Sequence, residues 1–471
     1  MPLSREDFVR ASKGHPIAIP PEAFEPPAIR DANWPDYPEL RSAVDWLKTC
    51  IGQQQWETRR NAAYIRLYGA SMGIPPTDGK GRYFDDTDTF GWYLFLADAF
   101  LDHWWNYEPM FGSRVIPIFA TIGRHLDSLK SIIGIDERVQ RIIGKERRQP
   151  NGGIFELLVA AAYRRAGAAV AFRAETATGK SYDMDVTIEG RKLAVECKRL
   201  ETSSYGEKER YRMRELWGPA SDLVQSAKRS SFGNVSFLVP VFDVPDGYLL
   251  DKTSLWLASG LPSLLWQDSI CHGVIGDLDL GPLQQALETG DVLIDGTRLQ
   301  QLLSGKYIRH ANYLMAIGYR VNISPRYLSE CSLAILLRWD TMAQQSIDAK
   351  ARDVLKRLAE ANDQLPIDKP GIVHIGFEAV EGDAVEKARY DKILTSTGNF
   401  DPKGKPLQYV YCHYFVPESP PDEAWAFDET VQWRRITGDD SHPLASPFLV
   451  LPKEEDSRPG PHWQSPQQRA V

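Results

Sequence analysis

The feature that most restricts this chain is a helix-length run without a polar side. Residues 154–165 read Ile-Phe-Glu-Leu-Leu-Val-Ala-Ala-Ala-Tyr-Arg-Arg, apolar around the whole circumference apart from Glu156 and the closing arginines. A helix apolar all round is a buried helix. A buried carboxylate is costly unless a cation or strong donors meet it, so Glu156 requires a metal site or an arginine partner such as Arg173 or Arg191. Gly167 stands where a helix C-cap is expected. Three short strand-like runs follow, 169–173, 185–188 and 192–198, the last two joined by the tight turn Glu189-Gly190-Arg191. A buried helix followed by three strands, two of them a hairpin, predicts an α/β core with a mixed sheet.

The third run, Lys-Leu-Ala-Val-Glu-Cys-Lys, contains the only Glu-x-Lys of the chain, Glu196-Cys197-Lys198. Alternate side chains of a strand share a face. Glu196 and Lys198 therefore point one way, and Leu193, Val195 and Cys197 point into a core. Pairing across the turn brings Asp185 toward Glu196. Two carboxylates converging at a sheet edge make a hard oxygen site suited to Mg²⁺, with a lysine beside it able to position or activate a water.

Around this segment the chain divides by pattern. Residues 1–35 are proline-rich without a sustained period and read as an irregular arm. Residues 36–148 read as an all-α domain, with helical spacing over 42–60, 89–104, 115–132 and 137–145. Its aromatic cluster (Trp92, Tyr93, Phe95, Phe100, Trp104, Trp105) is that of a packed core. The α/β domain is expected over 149–416. Within it, 234–242, 334–339, 371–377 and 407–415 are strand-like, 346–364 is an amphipathic helix, and 250–330 gives no clear pattern. Residues 417–471 read as a proline-rich acidic tail, disordered from Pro452 onward. Asp85, Asp86 and Asp88 are expected to favour a helix N-terminus, and the isolated pairs Cys271-His272 and Cys412-His413 do not make a zinc site.

Composition excludes several classes. The 471 residues are 43% hydrophobic and 25% charged, a globular profile, with no apolar run of membrane-spanning length and no signal-peptide pattern at the N-terminus. Five cysteines (Cys50, Cys197, Cys271, Cys331, Cys412), far apart and odd in number, exclude a disulfide framework and suit a cytoplasmic location. No phosphate-binding loop of the G-x-x-x-x-G-K-[ST] type is present. The chain carries −8 overall from 55 Lys+Arg and 63 Asp+Glu, but residues 137–229 hold 19 basic and 13 acidic side chains, a net +6, leaving 36 − 50 = −14 elsewhere. A basic segment coincident with the candidate chemistry suits a phosphate-backbone contact.

The helix with Glu156, the segment Tyr182-Asp183-Met184-Asp185-Val186-Thr187-Ile188 and the strand Leu193-Ala-Val-Glu196-Cys-Lys198-Arg199 together resemble the PD-(D/E)xK nuclease superfamily, over roughly residues 152–199. The resemblance implies a restriction-endonuclease-like mixed sheet flanked by helices. It implies a Mg²⁺-dependent endonuclease acting on DNA, with Mn²⁺ as a possible substitute. It assigns Glu156 as support for the metal site, Asp185 and Glu196 as metal ligands, and Lys198 as the residue handling the attacking water. No proline precedes the aspartate here. Asp183 shares the parity of Asp185, and Asp185 is preferred because it opens the Val-Thr-Ile strand. Family members continue with a helix carrying a Gln and then a strand; both Gln225 before 235 and Gln364 before 371 fit, the second making residues 200–340 an insertion. Family habit also implies gating by a regulatory partner, an oligomer or the helical domain, with a role in defence against foreign DNA. An RNA nuclease and a non-catalytic nucleic-acid-binding subunit are the alternatives.

Overall fold

Glu189 and Gly190 both take positive φ, 50° and 77°, as a two-residue hairpin turn requires. They join β2 (Met184–Ile188) to β3 (Arg191–Arg199). The computed structural model describes residues 3–26, 36–75, 83–174, 181–321, 324–438, 441–451 and 460–464. In it this hairpin belongs to a six-stranded sheet with β1 (Ala169–Phe172), β10 (Gly371–Glu378), β11 (Leu407–Glu418) and β12 (Ala426–Arg435), in the order β1-β2-β3-β10-β11-β12. β1, β2 and β3 pair antiparallel, β3, β10 and β11 run parallel, and β12 closes antiparallel. β10 is buried from Gly371 to Phe377 and β11 from Leu407 to Pro417, the continuous burial of parallel strands covered on both faces.

One face of this sheet is covered by helices from the first third of the chain: α1 (Arg5–Ser12), α2 (Pro38–Ile51), α3 (Gln53–Ser71), α4 (Thr89–Asp102), α5 (Pro109–Arg124), α6 (Leu126–Lys130), α7 (Ile135–Ile143) and α8 (Asn151–Arg165). Their side chains form one hydrophobic cluster with Val195, Cys197, Tyr411 and Phe415 of the sheet, so helical region and sheet share a core. On the other face, a second cluster joins Ala194, Val373 and Ile375 to Leu358 and Ala361. Those two lie on α14 (Leu355–Gln364), which follows α13 (Gln344–Lys350).

Between β3 and β10 the chain builds a second mixed sheet. It comprises β4 (Ser231–Phe237), β5 (Ser263–Gln267), β6 (Cys271–Asp277), β7 (Val292–Leu293), β8 (Asn312–Val321) and β9 (Tyr327–Thr341), ordered β5-β6-β4-β9-β7 with β8 on β9. α9 (Ser204–Ser226) and α10 (Tyr248–Ser259) pack on it through Trp217, Val224 and Trp256. α11 (Gly281–Thr289) and α12 (Thr297–Ser304) cover a further patch. α15 (Asp383–Gly398) follows β10.

Several elements depart from the sequence expectations. The arm contains α1, whose Phe8 is buried and stacks on Tyr68 with centroids 5.9 Å apart. Residues 426–435, expected within a tail, are β12: Thr430 and Gln432 pair with Tyr414 and Cys412 of β11. Backbone pairing with a buried strand outweighed the acidic composition. The disorder expected from Pro452 falls largely on residues 452–459 and 465–471, outside the described residues. The helix over 42–60 is broken at Gly52, at φ 87°, and that over 346–364 is two helices. β4 ends at Phe237, before Pro240. Asp88 caps α4 by accepting from Gly91 N at 3.1 Å. Among the described residues no helix is long and apolar enough to cross a membrane.

Candidate active site

The end of the hairpin ladder decides which aspartate meets Glu196. Met184 pairs with Val195 and Asp185 with Ala194. The regular ladder stops at Met184 and Val195: Asp183, one residue before β2, donates its N–H to Val195 O at 3.1 Å. Asp183 Oδ2 accepts from Cys197 N at 2.7 Å, which turns its carboxyl into the Glu196 side chain, within hydrogen-bond reach. Lys198 Nζ donates to Glu196 Oε1. Glu196 is 1% exposed and the Lys198 side chain 19%, so the amine reaches solvent while the carboxyl does not.

Burial first, and then the charge of Asp183, push the Glu196 carboxyl well above its usual range, with Lys198 opposing. Burial also raises Asp183, against the Cys197 N–H, Arg138 and Lys198. Two carboxyls in contact do not both ionise unless a cation lies between them, and without one they retain a proton. Glu196 Oε2 is buried and, among the described residues, meets no hydrogen-bond donor. An oxygen lacking a donor and facing a second carboxyl fits a hard divalent cation. Among the described residues no group of three or more His, Cys, Asp or Glu side chains is placed to hold a metal. Two carboxylates are nonetheless the usual protein share at a Mg²⁺ site completed by waters and substrate phosphate oxygens.

Glu156 joins through arginines. Arg138 of α7 pairs with Glu156 and approaches Asp183 Oδ1 at 4.0 Å, and Arg141 Nη2 lies 3.3 Å from Glu156 Oε2. Burial, then the charge of Asp183, raise the Glu156 carboxyl, with both arginines opposing. The partners are thus Arg138 and Arg141, three residues apart on one helix face, and not Arg173 or Arg191. Arg173 binds Asp185 at 3.2 Å, and Arg191 donates to Gln408 Oε1 at 2.8 Å.

Asp185, preferred from the sequence as metal ligand, stands apart from this group. Its carboxyl accepts from Tyr182 Oη at 2.9 Å, from Arg173, and from Lys369 just before β10. Burial acts to raise its pKa, but the bonds from Lys369, Tyr182 and Arg173 outweigh it and hold the carboxyl below its usual value. The shared parity left either aspartate open; these three donors tie Asp185 to Tyr182, Arg173 and Lys369. Gln364 lies on α14, the helix leading to β10 beside β3, whereas Gln225 lies on α9, leading to β4 of the second sheet. The structure thus brings together Glu156, Asp183, Glu196 and Lys198, with Arg138 and Arg141. Arg138 carried no sequence signal beyond its i, i+3 spacing to Arg141. No family model matches the chain, and no curated protein and no solved structure matches it.

Proposed function

We propose that this chain is a Mg²⁺-dependent nuclease of restriction-endonuclease-like fold that hydrolyses phosphodiester bonds of DNA. The observation that carries the reading is the buried contact of the Asp183 and Glu196 carboxyls with Lys198 beside them. Asp183 and Glu196 would hold the cation, releasing the proton they share. When bound, Mg²⁺ supplies charge stabilisation on the scissile phosphate and lowers the pKa of water. Lys198 orients the attacking water, and its positive charge eases loss of the water's proton to solvent. The water oxygen forms the new P–O bond, one ester P–O bond breaks, and the departing oxygen takes a proton from solvent. Arg138 keeps Asp183 and Glu156 in place.

The test is cleavage of plasmid and linear DNA by the full chain in Mg²⁺, Mn²⁺, Ca²⁺ and EDTA, with Lys198→Ala in parallel. Cutting is expected in Mg²⁺ and Mn²⁺, and none in EDTA. Ca²⁺, larger and less demanding in geometry, should support binding without cutting. Cutting that survives EDTA, or wild-type cutting by Lys198→Ala, overturns the reading. One observation favours the alternative of a non-catalytic nucleic-acid-binding subunit: Glu156 is occupied by two arginines and adds no third carboxylate to the pair. That alternative predicts DNA binding indifferent to EDTA, with no cutting under any condition.

A further inference from the structure

A second cluster of charge lies at the carboxyl ends of β3 and β10, on the sheet face opposite Lys198. Arg199 is the last residue of β3 and Glu378 the last of β10. Arg114 of α5 reaches the same carboxylate, so Glu378 stands 3.4 Å from Arg114 Nη1 and 3.6 Å from Arg199 Nη2. Both separations exceed the roughly 2.7–2.9 Å of charge-assisted hydrogen bonds. The Arg199 side chain is 8% exposed, and its Nη1 is buried without a hydrogen-bond partner among the described residues. A buried guanidinium N–H left unpaired is costly, and a loosely held carboxylate does not satisfy it.

The N-terminus of α8 closes the other side. The N-cap residue is Pro150, and among the described residues no side chain caps the helix. Tyr93 Oη donates to Asn151 Oδ1 at 3.2 Å. Tyr93, Arg114, Asn151, Arg199 and Glu378 form the polar wall of one cavity of about 20 Å³, room for one water or one phosphate oxygen; its remaining walls, Phe155 and Phe415 among them, are apolar. Uncapped backbone N–H groups and the positive end of the helix dipole favour an anion there. Glu201 is exposed nearby and contributes negative charge.

Resting on the nuclease reading, we propose that this cavity is a subsite for a non-scissile backbone phosphate of the DNA, built from Arg199, Arg114 and the α8 N-terminus. Glu378 holds the two arginines until the phosphate displaces it. Arg199 and Lys198 are consecutive on β3 and point to opposite faces, so a strand crossing this sheet end passes from the water-handling lysine to the anion pocket. Arg114, on α5, gives the helical region a direct share in the substrate path.

The test is fluorescence anisotropy of a fluorescein-labelled DNA duplex with the full chain in Ca²⁺, over a KCl series, for wild type, Arg114→Gln, Arg199→Gln and Glu378→Gln, with a thermal melt of each. Arg114 is about one-third exposed, so its loss opens no core cavity. Arg114→Gln should weaken binding about 3–10-fold and lower the log–log salt slope by about 0.9, the loss of one phosphate contact. Arg199→Gln should do at least as much. Glu378→Gln should tighten binding a few-fold, because it removes the competing anion. A cluster that only braces the fold would lower melting temperature with no change of salt slope, and Glu378→Gln would not tighten binding; either result in a DNA-binding wild type overturns the subsite alone. A wild type that binds no DNA overturns the nuclease reading with it.

Discussion

Asp268 in the second sheet and the Asp183–Glu196 pair in the first show what separates a structural carboxylate from a poised one. Asp268, in the β5–β6 turn, accepts from Tyr248 Oη, Lys252 Nζ and the Ile270 and Cys271 N–H groups, all at 2.8–3.0 Å. Burial acts against its charge, but those donors outweigh it and hold its pKa well below the usual value. Nothing there remains to be satisfied. At Asp183 and Glu196 a carboxyl faces a carboxyl, Glu196 Oε2 meets no donor among the described residues, and burial lifts both pKa values. The sheets themselves differ in the same sense. β10 and β11 are buried end to end, whereas β4 alternates buried and half-buried and β5 is half open. Part of the second sheet borders a shallow concavity of about 460 Å³ lined by Asn234, Ser236, Gln267 and His272. Water can serve an ionised group in such a place; in the first sheet only a partner, a proton or a cation can.

The contrast breaks most visibly at the chemistry. Lys198→Ala should lower DNA cleavage about 10²–10⁴-fold, the range for losing a positioned group that assists proton transfer, and Glu196→Ala at least as much through loss of the cation, whereas Asp268→Asn should leave the cleavage rate unchanged in a gel-based assay. In stability the gap should be about 2–5 kcal/mol for Leu193→Ala, fully buried in β3, against within about 0.5 kcal/mol for Leu265→Ala, 74% exposed in β5. Urea unfolding of the two variants checks this; equal losses would deny that the sheets differ in burial.

The pH response sharpens the comparison. Because Glu196 and Asp183 have raised pKa values in the folded state, the folded metal-free chain binds protons that the unfolded chain has released. Stability from these groups is therefore present below their ordinary carboxylate pKa values and is lost as pH rises through the raised ones, by up to about 1.4 kcal/mol per pH unit for each proton. Glu196→Gln should flatten that slope in melts without metal, while Asp268→Asn should not. Divalent-metal affinity should run the opposite way and rise with pH, since the ion displaces a proton. The smallest effect is expected at Asp185, whose side chain is 36% exposed. Asp185→Asn should cost at most about 1 kcal/mol and leave cleavage within about tenfold of wild type, while Asp183→Asn should behave like Glu196→Ala.

Strand parity alone placed Glu196 and Lys198 on one face and Leu193, Val195 and Cys197 in the core, because a period of two is readable from one strand. The apolar run around Glu156 announced a buried carboxylate that must be paired. Register is different. It is a property of two strands and of where their ladder ends, so Asp183 and Asp185 were equivalent until β2 was seen to stop at Met184, opposite Val195, with Asp183 just outside the regular ladder. The partners of Glu156 come from α7 and the second arginine of the anion pocket from α5, elements whose approach to the sheet is set by packing. β12 was hidden for another reason: its sequence, Ala-Phe-Asp-Glu-Thr-Val-Gln-Trp-Arg-Arg, is too polar to read as a strand without the buried neighbour it pairs with.

The central claim is that Asp183 and Glu196, and not Asp185, hold a divalent cation beside Lys198. Calorimetric titration of Mn²⁺ into the metal-free full chain tests it most directly, run in two buffers of different ionisation enthalpy so that released protons are counted. Wild type and Asp185→Asn should bind Mn²⁺ with proton release, and Asp183→Asn and Glu196→Gln should lose that binding while remaining folded. Retained binding in Asp183→Asn together with its loss in Asp185→Asn would contradict the account.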